Sequence, residues 1–244
     1  MAQSPNDPAP KPDAAPAAAR QRPTAVRRAF ADGPFGQIHY RFAAPRKRGG
    51  SGGVPLLMLH MSPKSGWIYR RLVAAMGCDR PAFAPDTPGF GESDPPPRPP
   101  QIADYAAALL AFVEAMEKAE QIAAGPVDVL GYHTGAMIAV EMARMRPSAV
   151  RRLALISAPI LTPAERAQFK AAMAPPAIDP DGAWLVAKWR QLLAYAEPGL
   201  PLDLAARSFA ENLRAAPDRV GWGHDAAFAY DLAAALPQIA QPIM

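Results

Sequence analysis

Cysteine is almost absent: Cys78 is the single one in 244 residues, so no internal disulfide can form. That usage suits a reducing compartment, and a cytoplasmic protein is the expectation. No apolar run approaches the roughly 18 residues that a membrane span requires. No apolar segment follows the basic residues near the N-terminus, as a signal peptide would need. Histidine is scarce, at four, and no set of three ligand residues recurs at a metal-binding spacing, so neither metal nor cofactor is expected. Nor is one sign of charge in large excess: 26 Lys and Arg face 22 Asp and Glu, a net +4. The basic residues of the tail and of Arg46-Lys47-Arg48 have no basic helix or interleaved aromatics beside them, which argues against a nucleic-acid partner.

What the chain does contain is apolar mass, at 50% of residues against 20% charged, enough for a sizeable core. Its 30 prolines are unevenly spread, crowding residues 1–25 and 94–100. The Ala/Pro-rich stretch 1–25 has no apolar periodicity and reads as a disordered tail. Residues 26–160 then alternate strand and helix signals. Gln37-Ile38-His39-Tyr40-Arg41-Phe42 alternates as a strand after the Gly33-Pro34 turn. Residues 54–59 form an apolar run suited to a buried parallel strand. A helix is predicted over 65–76, a strand over 81–84, a helix over 101–118, a strand over 127–130, a helix over 136–146 and a strand over 150–156. Strands alternating with helices imply right-handed crossovers and a mainly parallel sheet with helices on both faces.

Beyond residue 160 the pattern becomes helical only. Thr162-Pro163-Ala164-Glu165 is a capping box with proline at the first helical position. Residues 161–230 are expected to form a helical cap, holding Trp184, Trp189 and Trp222. Residues 231–244 are read as a return to the core that stops at the start of another strand. The strand over 150–156 is apolar on both faces, so as a sheet edge it would favour self-association.

Gly131-Tyr132-His133-Thr134-Gly135 lies between a strand and a helix, the context of a nucleophile elbow. Gly131 and Gly135 let the chain reverse sharply and let helix and strand approach closely. Asp86-Thr87-Pro88-Gly89-Phe90-Gly91-Glu92-Ser93-Asp94 and Leu59-His60-Met61-Ser62-Pro63 precede it in order. Together these segments resemble the α/β-hydrolase family, in the capped branch with esterases, haloalkane dehalogenases and carbon–carbon bond hydrolases. The likeness runs over residues 28–244. The resemblance implies that 59–63 is the loop after the third strand, with Met61 in place of a glycine. It also implies that the backbone N–H groups of Met61 or Ser62 and of Thr134 form an oxyanion hole.

Two departures stand against that pattern. The family's nucleophile is Ser, Cys or Asp, whereas the centre here is His133. The family's acid and late histidine follow strands that this sequence does not reach, and His224 lies in the expected cap. A histidine at a helix N-terminus feels a positive partial charge that favours its neutral form. His133 is therefore the candidate catalytic residue, as a base toward water or as a nucleophile giving an acyl-imidazole. The competing reading is a side chain that fills or hydrogen-bonds within a binding pocket. Tyr132, Trp184, Trp189, Trp222 and His224 are the expected pocket residues for a small apolar substrate. His60 is read as a brace, and Asp86, Gly89 and Gly91 as turn residues. Three functions follow as expectations: a hydrolase of a small ester or related carbonyl compound, a non-catalytic binder of a small ligand, or an inactive fragment of a longer hydrolase.

Overall fold

Apolar residues at every position of a short segment demand cover on both sides, and the third strand shows how it is met. In the computed structural model, which describes residues 24–45, 53–173, 177–216 and 218–244, β3 (Leu56–Leu59) is buried at all four positions. Side chains alternate between the faces of a strand. Leu57 and Leu59 accordingly join one apolar cluster, while Leu56 and Met58 join another on the opposite face. The expected tail lies largely outside the described residues, as does the Arg46-Lys47-Arg48 turn.

Around β3 the sheet is completed by β1 (Arg27–Gly33), β2 (Gly36–Ala43), β4 (Ala82–Pro85), β5 (Val127–Tyr132) and β6 (Val150–Ile156), in the order β1-β2-β4-β3-β5-β6. β1 and β2 form an antiparallel hairpin, and β2 is antiparallel to β4. The remaining pairs are parallel, so the expected mainly parallel sheet is present. β1 went unpredicted because Arg27-Arg28-Ala29-Phe30-Ala31-Asp32 is half-exposed and carries no clean alternation.

Helices cover both faces. α1 (Arg70–Met76) packs Val73 among Leu56, Met58, Ala82 and Ala84. The predicted helix over 65–76 begins instead as a 3₁₀ turn, Gly66–Tyr69, capped by Ser65 accepting the Trp67 N–H. α2 (Ile102–Lys118) and α3 (Thr134–Met145) bury their apolar faces on the other side of the sheet, with Leu109, Phe112, Ile138 and Met142 fully enclosed. α3 buries ten consecutive residues from Thr134 to Ala143, as a helix must when it has sheet beneath it and other helices beside it.

After β6 come α4 (Pro163–Ala172), α5 (Ala183–Ala194), α6 (Leu202–Asn212), α7 (Trp222–Ala229) and the short α8 (Leu232–Ala235). The predicted capping box begins α4, where Thr162 Oγ1 accepts the Glu165 N–H at 3.3 Å and Glu165 Oε2 accepts the Thr162 N–H at 2.8 Å. The final residues run alongside β6: Leu153 N–H donates to Pro242 O, and Leu155 N–H to Met244 O, each at 3.0 Å. β6 departs from its expected two-sided burial. Val150 and Leu153 are buried, but Arg152 and Ile156 are exposed.

Candidate active site

The C-terminal ends of β3 and β5 carry the groups capable of chemistry. β5 delivers the chain to His133, whose backbone sits at φ 49°, ψ −114°. A side chain bearing a Cβ is uncommon at positive φ, and holding it there costs on the order of 1–3 kcal/mol. The two flanking glycines explain why the turn is so tight. A Cβ on Gly131 would lie 2.4 Å from the Gly135 carbonyl oxygen, and one on Gly135 would lie 2.1 Å from the Leu59 carbonyl oxygen. Both obstacles are backbone atoms and cannot rotate away. Glycine at these positions lets the start of α3 press against its own strand and against the end of β3.

His133 is left half-buried, its ring 4.6 Å from that of Tyr132. Burial holds its pKa below the ordinary 6.5, so the ring is neutral at pH 7. No hydrogen bond to the ring is formed among the described residues, and none of its near groups is a carboxylate.

The loop after β3 is tied down at nearly every residue. His60 is buried; its Nδ1–H donates to Met61 O at 2.9 Å and its Nε2 accepts the Thr87 N–H at 2.8 Å. A ring that donates at one nitrogen and accepts at the other is neutral, in keeping with a pKa lowered chiefly by burial. Lys64 Nζ donates to Ser208 O at 2.6 Å and to Ser208 Oγ at 2.9 Å. Burial pushes the Lys64 pKa down to about 8, with the charge of Glu211 acting the other way. Ser65 Oγ donates to the buried Glu211 carboxylate, which also holds Arg207 at 3.0 Å. Two consecutive loop residues therefore fasten α6 to the sheet. The N–H groups of Met61, Ser62 and Thr134 have no hydrogen-bond acceptor among the described residues.

α7 lies directly over this loop. A Cβ on Gly223 would stand 2.0 Å from Ser62 Oγ and 3.0 Å from Phe90 Cζ. Burial is the largest cause of the lowered pKa of the neighbouring His224, with the Ser62 backbone acting the other way. Its ring stacks at 6.2 Å on Phe228, which stacks in turn on Phe169.

Residues 54–211, more than half of the chain, match the sequence profile of the alpha/beta hydrolase fold. The chain belongs to that family. Among solved structures it is similar to a hydrolase from Pseudomonas aeruginosa PA01, at 20% identity and TM-score 0.67, over 88% of this chain and 78% of that one. An esterase (EaEST) from Exiguobacterium antarcticum is similar at 18% identity and TM-score 0.64, over 88% and 78% of the two chains. The N-acyl homoserine lactonase AidH complexed with N-butanoyl homoserine is similar at 24% identity and TM-score 0.59, over 89% and 76%. At these identities the likeness is one of fold.

Within this alpha/beta hydrolase fold, the sequence-predicted residues separate into two groups. Tyr132, His133 and Thr134 stand at the end of β5 and Met61 and Ser62 after β3, while His224 lies on α7 next to Gly223, which meets Ser62. Two of the three tryptophans have ring contacts within the helical block. Trp189 meets Phe209 edge-on at 5.6 Å between α5 and α6. Trp222 lies under the Arg219 guanidinium at 5.8 Å, and Trp184 is half-buried in the first turn of α5.

Asp86 proves more than a turn residue. It is buried, pairs with His39 at 2.8 Å, and accepts the Gly66 N–H at 2.7 Å and the Glu92 N–H at 3.0 Å. The sequence reading missed Lys64, Ser65 and Glu211. Their partners are 144 and 146 residues apart, and no local signal marks them. Among the described residues no cluster of His, Cys, Asp or Glu is arranged to hold a metal ion, and no helix is long and apolar enough to cross a membrane.

Proposed function

We propose that this protein hydrolyses a small ester or related carbonyl compound, with His133 as the general base that activates water. The observation that carries this reading is a neutral imidazole, free of hydrogen-bond partners among the described residues, held in a strained backbone conformation at the mouth of the sheet. The strained turn between β5 and α3 supports reading His133 as the residue at the family's elbow.

A substrate carbonyl above the start of α3 would direct its oxygen to the N–H of Thr134 and to that of Met61 or Ser62. These donors are fixed before the reaction, so they stabilise the negative charge that develops on the oxygen without reorganising. Neutral His133 removes a proton from water as the oxygen bonds to the carbonyl carbon. When the tetrahedral intermediate collapses, the proton passes to the departing alkoxide. The helices α4–α7 act as the cap, with α7 forming the wall over the loop and apolar surface favouring a small apolar acyl group. The single cysteine supports a cytoplasmic site of action.

The absence of a carboxylate beside His133 favours a second reading, in which the site binds a small ligand without turning it over. Initial rates on p-nitrophenyl esters of two to eight carbons and on simple lactones separate the two readings. Hydrolysis that rises with pH as His133 becomes neutral is expected. Binding of esters with no turnover at any pH would leave the binding role.

A further inference from the structure

Lys64 and Ser208 meet across the seam between the loop after β3 and α6, and neither takes part in the hydrolysis proposed for His133. Lys64 Nζ stands 2.9 Å from Ser208 Oγ and 2.6 Å from the Ser208 carbonyl oxygen. The loop end of the pair is fixed by the Lys64 N–H, which donates to Met61 O at 2.9 Å. The helix end is fixed one turn along α6 by Glu211, which holds Ser65 Oγ and Arg207. Lys64 is buried and Ser208 half-buried, so the amine is shielded from water while the serine keeps part of its surface open.

Two contacts to one residue give the amine a direction. As an ammonium it donates to both oxygens. After it loses a proton, an N–H can stay on the carbonyl, which only accepts, and the lone pair is left facing the hydroxyl. The Ser208 O–H then turns to donate to nitrogen. A hydroxyl bonded to a base that a third group orients is the arrangement of an activated nucleophile. Burial makes the neutral amine accessible, because it brings the Lys64 pKa from the ordinary 10.5 to about 8. At pH 7 about a tenth of the molecules then hold it. Among the described residues no carboxylate pairs with Nζ. Glu211 of α6 favours the charged form, and is itself engaged by Ser65 and Arg207.

The geometry points to Lys64 and Ser208 as a second reactive site, a serine–lysine pair that takes an acyl group from an activated ester. It stands apart from His133 and does not rest on the hydrolase reading above. Ser208 Oγ bonds to the carbonyl carbon as its proton passes to Lys64 Nζ. The ammonium so formed lies beside the tetrahedral centre and offsets its negative charge. Collapse breaks the bond to the leaving oxygen, which takes the proton from Lys64, and the acyl group remains on Ser208. Water then attacks that ester and gives a proton to Lys64, which returns it to Ser208 Oγ as the acid departs.

The full chain treated with an alkyl fluorophosphonate provides the test. Phosphorus bonds to an activated serine oxygen as fluoride leaves, the adduct is stable, and peptide mass spectrometry locates it without any need for turnover. The adduct is expected on Ser208, forming about tenfold faster per pH unit at low pH and levelling off above about pH 8. In Lys64→Met the rate at pH 8 should fall on the order of 10²-fold. Ser208→Ala, which keeps the carbonyl that Lys64 holds, should lose the adduct with Tm near wild type. A pair that only fastens α6 would leave Ser208 unmodified at every pH, and that result overturns the inference. An adduct that forms as fast in folded Lys64→Met overturns it as well. If Lys64→Met does not fold, the wild-type profile decides, and a rate at Ser208 that is flat from pH 6 to pH 10 is the contradicting result.

Discussion

Replacing Gly223 by alanine sets two effects of opposite sign against each other, and the structure says which wins. Gly223 is the second residue of α7, at a backbone angle that any residue can adopt. Judged by helix propensity alone, Gly→Ala should stabilise by at most ~1 kcal/mol. Judged by packing, the new methyl would lie 2.0 Å from Ser62 Oγ, 2.7 Å from Ser62 Cβ and 3.0 Å from Phe90 Cζ. Rotation of the Ser62 hydroxyl relieves the first contact but not the second, since Ser62 Cβ moves only with the backbone. The loop is held by His60 and Lys64 on either side, so α7 must lift by about 1 Å. Overpacking of this kind costs ~1–3 kcal/mol. The expected net effect is a loss of ~1–2 kcal/mol, or ~2–4 °C in Tm for each kcal/mol in a chain of this size. Differential scanning calorimetry of Gly223→Ala, with Ser62→Gly/Gly223→Ala as the companion, reads it directly. The double variant should regain most of the loss. A Gly223→Ala chain as stable as wild type, or more so, would show that α7 does not rest on this loop.

Other consequences are equally accessible. The pKa values of His60, His133 and His224 are lowered mainly by burial, so below the ordinary 6.5 the unfolded chain binds protons that the folded one refuses. Stability should be fully present above that pH and decline as pH falls through the folded values, and Tm measured from pH 8 to pH 5 checks the direction. Asp86→Ala should cost about 3–5 kcal/mol, because it strands His39 and the Gly66 N–H in the interior; urea unfolding that shifts by less than about 1 kcal/mol would mean water replaces the carboxylate.

Much of this structure is written locally. The apolar run at β3, the helical spacing of Leu109, Phe112, Val113 and Met116, and the Thr162 capping box each act within a few residues, and each is found where the sequence places it. Gly131 was legible for the same reason, since the close approach it permits is to Gly135 and Ala136, its neighbours in the chain; that of Gly135 is to Leu59 of β3. What stayed hidden is long-range. Asp86 finds His39 across 47 residues, and Ser65 finds Glu211 across 146; neither pair leaves a periodic or spaced trace. The tryptophans of the helical block were legible as apolar but not as to direction, because Trp189 could serve Phe209 or a ligand with the same pattern. β1 was missed because a half-exposed edge hairpin needs no alternation strong enough to read.

The role of His133 is open to a single comparison: kcat of His133→Ala against wild type on the best ester, with affinity for a non-hydrolysable analogue measured on the same samples. A general base contributes about 10²–10⁴-fold, so kcat should fall by that factor while affinity and Tm stay near wild type or, with the backbone strain unchanged, move only slightly. Turnover retained within a few-fold would contradict the account, and would mean that the imidazole at the mouth of the sheet takes no part in the reaction.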